Sequence, residues 1–91
     1  MRKLWESIVD IIAEHTECSR DEILHDRNIE AVDARHLLIK ILHECGIYPN
    51  KIAMLCRVTP RAVHYALTNF DVRKRNSIML RKNYEKVKQR I

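Results

Sequence analysis

One short stretch of the chain carries side chains that can bind both the base edges and the phosphates of double-stranded DNA. The side chains expected to read base edges in the major groove are Arg61, Ala62, Tyr65 and, at the border of that face, His64. Those expected to bind phosphates are Lys51, Arg57 and Thr59. Arg61 can donate two hydrogen bonds to a guanine, and Ala62 can contact the methyl group of a thymine. The amides of a helix N-terminus beside Thr59 also suit a phosphate.

Two short helices joined by a tight turn are needed to position these side chains. The apolar residues with the spacing of a small core between two such helices are Ile52, Val58, Val63 and Leu67. Ala53 is small enough to let the helices approach, Thr59 is a typical N-cap, and Pro60 suits the first helical position. The pattern predicts a helix-turn-helix over about residues 49–70, whose second helix enters the major groove.

Arg57 occupies the turn position at which such motifs usually have a glycine, often in the left-handed conformation. A residue with a side chain costs roughly 1 kcal/mol more than glycine in that conformation. This cost is small enough for the turn to form with an arginine.

Charge is distributed unevenly along the 91 residues, whose net charge is +5. Residues 1–56 contain 7 lysines and arginines against 10 acidic residues, a net charge of −3. Residues 57–91 contain 10 basic against 2 acidic residues, a net charge of +8. The basic segment thus begins in the predicted turn, which favours an anionic partner for this part of the chain.

The composition predicts one all-α domain over residues 1–91. Hydrophobic residues make up 46% of the chain, which is enough for a small core, and one glycine and two prolines leave little punctuation for sheets or long loops. A single glycine also excludes the glycine-rich phosphate loops of NTPases and dinucleotide-binding enzymes. No run of apolar residues is long enough to cross a membrane, and three cysteines without a CxxC pair favour the reducing cytoplasm.

Apolar residues recur at helical spacing in six segments, which predicts a compact bundle of five to six helices. The predicted helices are Lys3–His15, Arg20–His25, Glu30–Cys45, Pro49–Leu55, Pro60–Phe70 and a basic last helix over about residues 76–91. Ser19 and Glu22 form a capping box before the second helix. Gly46 is expected to end the third helix in a left-handed conformation, and Asp71–Arg75 is expected to be a charged linker.

The order of these elements resembles the C-terminal DNA-binding domain of the bacterial replication initiator DnaA, a helix-turn-helix fold related to that of the Trp repressor. The segments that carry the resemblance are residues 11–15, 21–24, 34–37 and 63–66, with the sequences IIAEH, DEIL, ARHL and VHYA. The resemblance runs from about Ile8 to Ile91 and implies the same fold and binding to double-stranded DNA. It also implies that Arg27 enters or borders the minor groove, and that Arg35, with His36 beside it, contacts DNA.

The recognition helix departs from that family. Family members begin it with an Arg-Asp-His-Thr-Thr-like signature, whereas residues 58–62 of this chain are VTPRA. Family members also have a basic loop before the long helix, whereas Ile29, Glu30 and Asp33 of this chain stand where basic or neutral polar residues are expected. The resemblance therefore extends to the fold and to general DNA binding. We expect this chain to bind a DNA sequence other than the box that the initiator recognises.

Three roles are compatible with these observations. The first is DNA binding in replication initiation or its regulation, and the second is transcriptional regulation in a phage or mobile element. The third is a protein-interaction adaptor that keeps the fold without binding DNA, and a protein partner or a homodimer is possible in each case. The sequence predicts no enzyme and no cofactor. It also predicts no metal site, because His43, Cys45 and Cys56 lack the spacing of zinc ligands.

Overall fold

Six α-helices and no strand make up residues 4–91, the part of the chain that the computed structural model describes. The helices are α1 (Leu4–Thr16), α2 (Arg20–His25), α3 (Ile29–Glu44), α4 (Pro49–Cys56), α5 (Pro60–Asn76) and α6 (Ile78–Gln89). The radius of gyration is 11.7 Å, close to the roughly 12 Å of a compact chain of this length. The predicted all-α class is confirmed, while Lys3, the predicted start of the first helix, lies outside the described residues.

The predicted signals at helix ends form as expected. Ser19 Oγ accepts a hydrogen bond from the Glu22 amide at 3.2 Å, and Glu22 Oε1 accepts one from the Ser19 amide at 2.9 Å. This capping box starts α2 by satisfying two amides that have no partner within the helix. Gly46 has a φ of 90° after α3, and the next amide, that of Ile47, donates to the Leu42 carbonyl at 3.2 Å. Gly46 therefore closes α3 in the left-handed conformation expected of it.

Helix α3 is the central element of the core, and it packs against each of the other five helices. Its fully buried apolar side chains are Ala31, Ala34, Leu37, Leu38, Ile39, Ile41 and Leu42. The neighbouring helices contribute Ile8, Val9 and Ile12 from α1, Ile23 from α2, Ile52 from α4, Val63 and Phe70 from α5, and Val87 from α6. Removing this apolar surface from water is the main driving force for assembling the six helices.

The predicted linker at Asp71–Arg75 is wrong, because α5 continues without interruption to Asn76. Arg73 Nη1 donates to Asp33 Oδ1 of α3 at 2.7 Å, and Lys74 Nζ lies 4.9 Å from the centre of the Tyr84 ring of α6. Basic side chains in the last turn also interact favourably with the helix dipole. The helix ends at Ser77, whose extended backbone begins α6 and whose Oγ accepts from the Leu80 amide at 3.1 Å.

Candidate nucleic-acid interface

The turn between α4 and α5 consists of Arg57, Val58 and Thr59. Arg57 has φ 56° and ψ 43°, the left-handed conformation expected at this position. The Val58 amide donates to the Ala53 carbonyl at 3.0 Å, which closes the end of α4 in the same way as Gly46 closes α3. Thr59 Oγ1 accepts from the Ala62 amide at 3.1 Å and caps α5, as predicted.

The residues expected to form a small core between α4 and α5 do so. Ile52 and Val63 are fully buried, and Val58 and Leu67 pack against the same core as partly buried side chains. Ala53 is only 4% exposed. The outward face of α5 is consequently fixed relative to α4 by apolar packing on both helices.

An open groove of about 380 Å³ lies between α3 and the start of α5. Its lining residues are Arg35, His36, Ile39, Val58, Thr59, Arg61, Ala62 and Tyr65. Six of the ten predicted site residues, all except Arg27, Lys51, Arg57 and His64, are therefore brought together on one surface. Ile39 and Val58 supply an apolar part of the lining that the sequence did not lead us to expect. The spacing of three residues to Leu42 was the only signal for Ile39.

His36 and Tyr65 are in contact in this groove, with ring centroids 6.2 Å apart and an angle of 79° between the rings. Tyr65 is 58% exposed, whereas His36 is only 9% exposed, and its Nδ1 atom is buried without a hydrogen-bond partner among the described residues. Burial, and to a lesser extent the positive charges of Arg73 and Arg35, lower the pKa of His36 to about 4. A neutral His36 ring thus supports Tyr65 at pH 7.

Arg35 connects α3 to the end of α2. Its Nε atom donates to the Ile23 carbonyl at 2.8 Å, and its guanidinium also donates to the Asp26 carbonyl. These bonds satisfy carbonyls at the C-terminus of α2 that have no helical partner. The structure therefore gives Arg35 a positioning role beside the groove, in addition to the DNA contact that the resemblance implies.

Arg27 lies exposed in the short connection from α2 to α3. The two ends of this connection are anchored, because Arg35 holds the Asp26 carbonyl and Asn28 Oδ1 accepts from the Ala31 amide at 2.8 Å. Anchoring on both sides leaves the Arg27 side chain as the part directed to solvent. Its contact with the minor groove stays a prediction.

The other three predicted residues lie outside the groove. Lys51 is exposed on α4, and His64 is exposed beside Arg61 in a second depression that also contains Pro60. Arg57 lines a depression on another side of α4. The residues that share it are Trp5, Glu6, Asp21, Leu24, His25, Met54 and Leu55. Arg57 therefore does not line the groove, and it shares its own depression with two acidic residues.

Helix α6 lies on the opposite side of α3 from the groove. The α3 residues that share depressions with α6 are Glu30, Asp33, Ala34, Ile41 and Glu44, whereas those in the groove are Arg35, His36 and Ile39. At 3.6 residues per turn, the two sets are about 180° apart around the helix axis. Tyr84 of α6 confirms this placement by donating to Glu44 Oε2 at 2.6 Å.

The described residues form no metal centre, and the buried thiol of Cys56 is not activated. Among residues 4–91, no three His, Cys, Asp or Glu side chains are grouped so that they could hold an ion. Burial raises the pKa of the Cys56 thiol to about 11, so it is protonated at neutral pH. No helix in this part of the chain is long and apolar enough to cross a membrane. Comparisons with protein-family models, curated proteins and solved structures gave no match.

Proposed function

We propose that this chain binds double-stranded DNA, with α4 and α5 acting as a helix-turn-helix in a fold like that of the initiator DnaA's DNA-binding domain. The groove between α3 and α5 carries this proposal, because it gathers a cation, two hydroxyl groups and a small apolar side chain around the first turns of α5. These are the groups that bind phosphates and base edges in the major groove.

In this arrangement the N-terminal end of α5 enters the major groove. Arg61 and Ala62 lie in its first turn and meet base edges, and Tyr65 follows one turn later, supported by His36. Thr59 and the first amides of α5 contact the phosphates at the edge of the groove. Arg27 approaches the minor groove from the connection before α3. The role that follows is replication initiation or its regulation, with transcriptional regulation as the alternative.

Replacing the proposed base-reading arginine tests this function. Selection from a random duplex library first gives the preferred sequence, and the dissociation constant for that duplex is then measured for Arg61→Ala. We expect a loss of roughly 1–3 kcal/mol and relaxed specificity, since a bidentate contact to one base is removed.

Arg75→Ala is the matched control, because Arg75 is exposed on the same helix about 21 Å further along its axis. This variant should bind the selected duplex almost as tightly as the unchanged chain. An equal loss on every sequence would make Arg61 a phosphate contact. Failure of the unchanged chain to bind any duplex at about 50 mM salt would exclude DNA binding and favour the protein-interaction adaptor.

A further inference from the structure

Helix α6 presents a second basic surface that the proposed groove does not use. Its exposed basic residues, which we call the α6 basic surface, are Arg81, Lys82, Lys86 and Lys88. Glu85 is the only acidic residue on this helix. The apolar side of α6, formed by Leu80, Tyr84 and Val87, is buried against the rest of the protein.

The α6 basic surface faces away from a duplex that is seated in the groove. α6 and the groove lie on opposite sides of α3, and the basic residues are on the outer face of α6, so α3 and α6 itself, each about 10 Å in diameter, lie between the groove and the α6 basic surface. The extents of the molecule, 31 × 28 × 23 Å, leave a comparable thickness between its opposite faces. The charge on α6 is therefore available to another partner.

We infer that the α6 basic surface binds a second DNA duplex, so that one molecule bridges two duplexes. This inference rests on the proposed function, because the first duplex occupies the groove between α3 and α5. The charge on α6 is complementary to a polyanion, since lysine side chains at Lys82 and Lys86 recur one turn apart on exposed positions. Two duplexes separated by about 20 Å of protein repel each other little, because the Debye length is about 8 Å at physiological salt.

An anionic membrane fits this surface less well than a duplex. Helices that lie on a membrane bury an apolar face in the lipid, but the apolar face of α6 is already occupied by the core. Exposed apolar side chains on α6 are confined to its first turn, at Ile78 and Met79. Beyond that turn the outward positions are charged or polar, as in Lys82, Glu85 and Lys86.

A two-duplex assay with the full chain tests the inference. One duplex, about three helical turns long, is fixed to beads, and a fluorescent duplex of unrelated mixed sequence is added with the protein. We expect the unchanged chain to recruit the fluorescent duplex to the beads. Lys82→Glu with Lys86→Glu should reduce this recruitment at least about tenfold and change the dissociation constant for one duplex less than about threefold.

Two further variants and one further probe make the outcome decisive. Lys82→Arg with Lys86→Arg keeps the charge and should bridge like the unchanged chain, and Glu85→Lys should bridge more strongly.

Binding of the first duplex without recruitment of the second would overturn the inference and leave the proposed function intact. So would undiminished recruitment by the double glutamate variant. Loss of binding to vesicles rich in phosphatidylserine in that variant, without any bridging, would assign the surface to lipid, and failure to bind even the first duplex would contradict both proposals.

Discussion

Tyr65 is held in its exposed position by the side chains beneath it. His36 contacts its ring from α3 and is itself buried, while Arg35, the next residue toward the N-terminus, fixes the end of α2. Two neighbouring residues of α3 thus shape the site from below. Which side chains of α3 support Tyr65 depends on the face of α3 that α5 covers. The sequence shows that His36 and Arg35 are present, but it does not show which helix each of them contacts.

Arg57 combines backbone strain with a proposed phosphate contact, and the two effects can be separated by substitution. We expect Arg57→Gly to stabilise the protein by up to about 1 kcal/mol, because glycine relieves the left-handed conformation at φ 56°. The same variant should bind DNA more weakly, since a guanidinium is lost. Denaturant unfolding and duplex titration measure the two effects.

Arg57→Ala is the control, because it removes the guanidinium and keeps a Cβ in the strained conformation. Its affinity for DNA should fall as in the glycine variant, without a gain in the free energy of unfolding. If both variants bind the duplex as tightly as the unchanged chain, Arg57 has no contact with phosphate.

At the scale of the helices, the sequence predicted correctly those helix ends that are determined by capping residues close to them in the chain. The capping box at Ser19, the cap at Thr59 and the left-handed Gly46 all act within four residues of themselves, so they are visible in the sequence. The sequence did not predict that α5 continues past Phe70, because the contacts that stabilise this part of the helix are made with residues distant in the chain. The pair of Arg73 with Asp33 joins residues 40 positions apart.

The last turns of α5 therefore give a sharp test of the fold. Val72→Pro should destabilise the protein by about 3 kcal/mol, because proline inside a helix removes a hydrogen bond and clashes with the preceding turn. Val72 is 47% exposed, so loss of buried apolar surface adds little. The free energy of unfolding in denaturant measures the effect.

Ile78→Pro is the matched control, since Ile78 is an exposed apolar residue at the first position of α6. Proline is well tolerated there, and the extended backbone of Ser77 suits a residue that precedes proline. Equal destabilisation by the two prolines, or none at position 72, would contradict a continuous α5.

At the scale of the whole molecule, charge and packing are divided between two sides of one central helix. The uneven charge along the chain, −3 before Arg57 and +8 from it onward, was visible in the sequence. The sequence did not show that this positive charge lies on two sides of the molecule. The basic residues of α5 and α6 follow one another in the chain, whereas α3 separates the groove from α6 in the structure. Only the packing of α3 against both helices reveals two basic surfaces.

Folding stability as a whole should depend on pH through His36. The pKa of His36 is lowered to about 4 in the folded protein, whereas the ordinary value is 6.5. Between these two values the unfolded chain takes up a proton that the folded protein excludes. The contribution of His36 to the free energy of unfolding is therefore fully present above pH 6.5 and is lost as the pH decreases toward 4. The difference corresponds to about 3 kcal/mol.

Unfolding free energies measured between pH 7 and pH 4 check this dependence. His36→Gln removes the titrating group, so its stability should change less over that interval, even if the variant is less stable at pH 7. Glu22 has a pKa below its ordinary value because the Ser19 amide and hydroxyl donate to it, and it adds a loss only toward the acidic end of the range. A His36→Gln profile parallel to that of the unchanged chain would show that His36 is protonated as readily in the fold as in the unfolded chain. The groove would then carry a positive charge beneath Tyr65 near pH 6, and duplex affinity would rise with acidity in a way that the neutral ring does not allow.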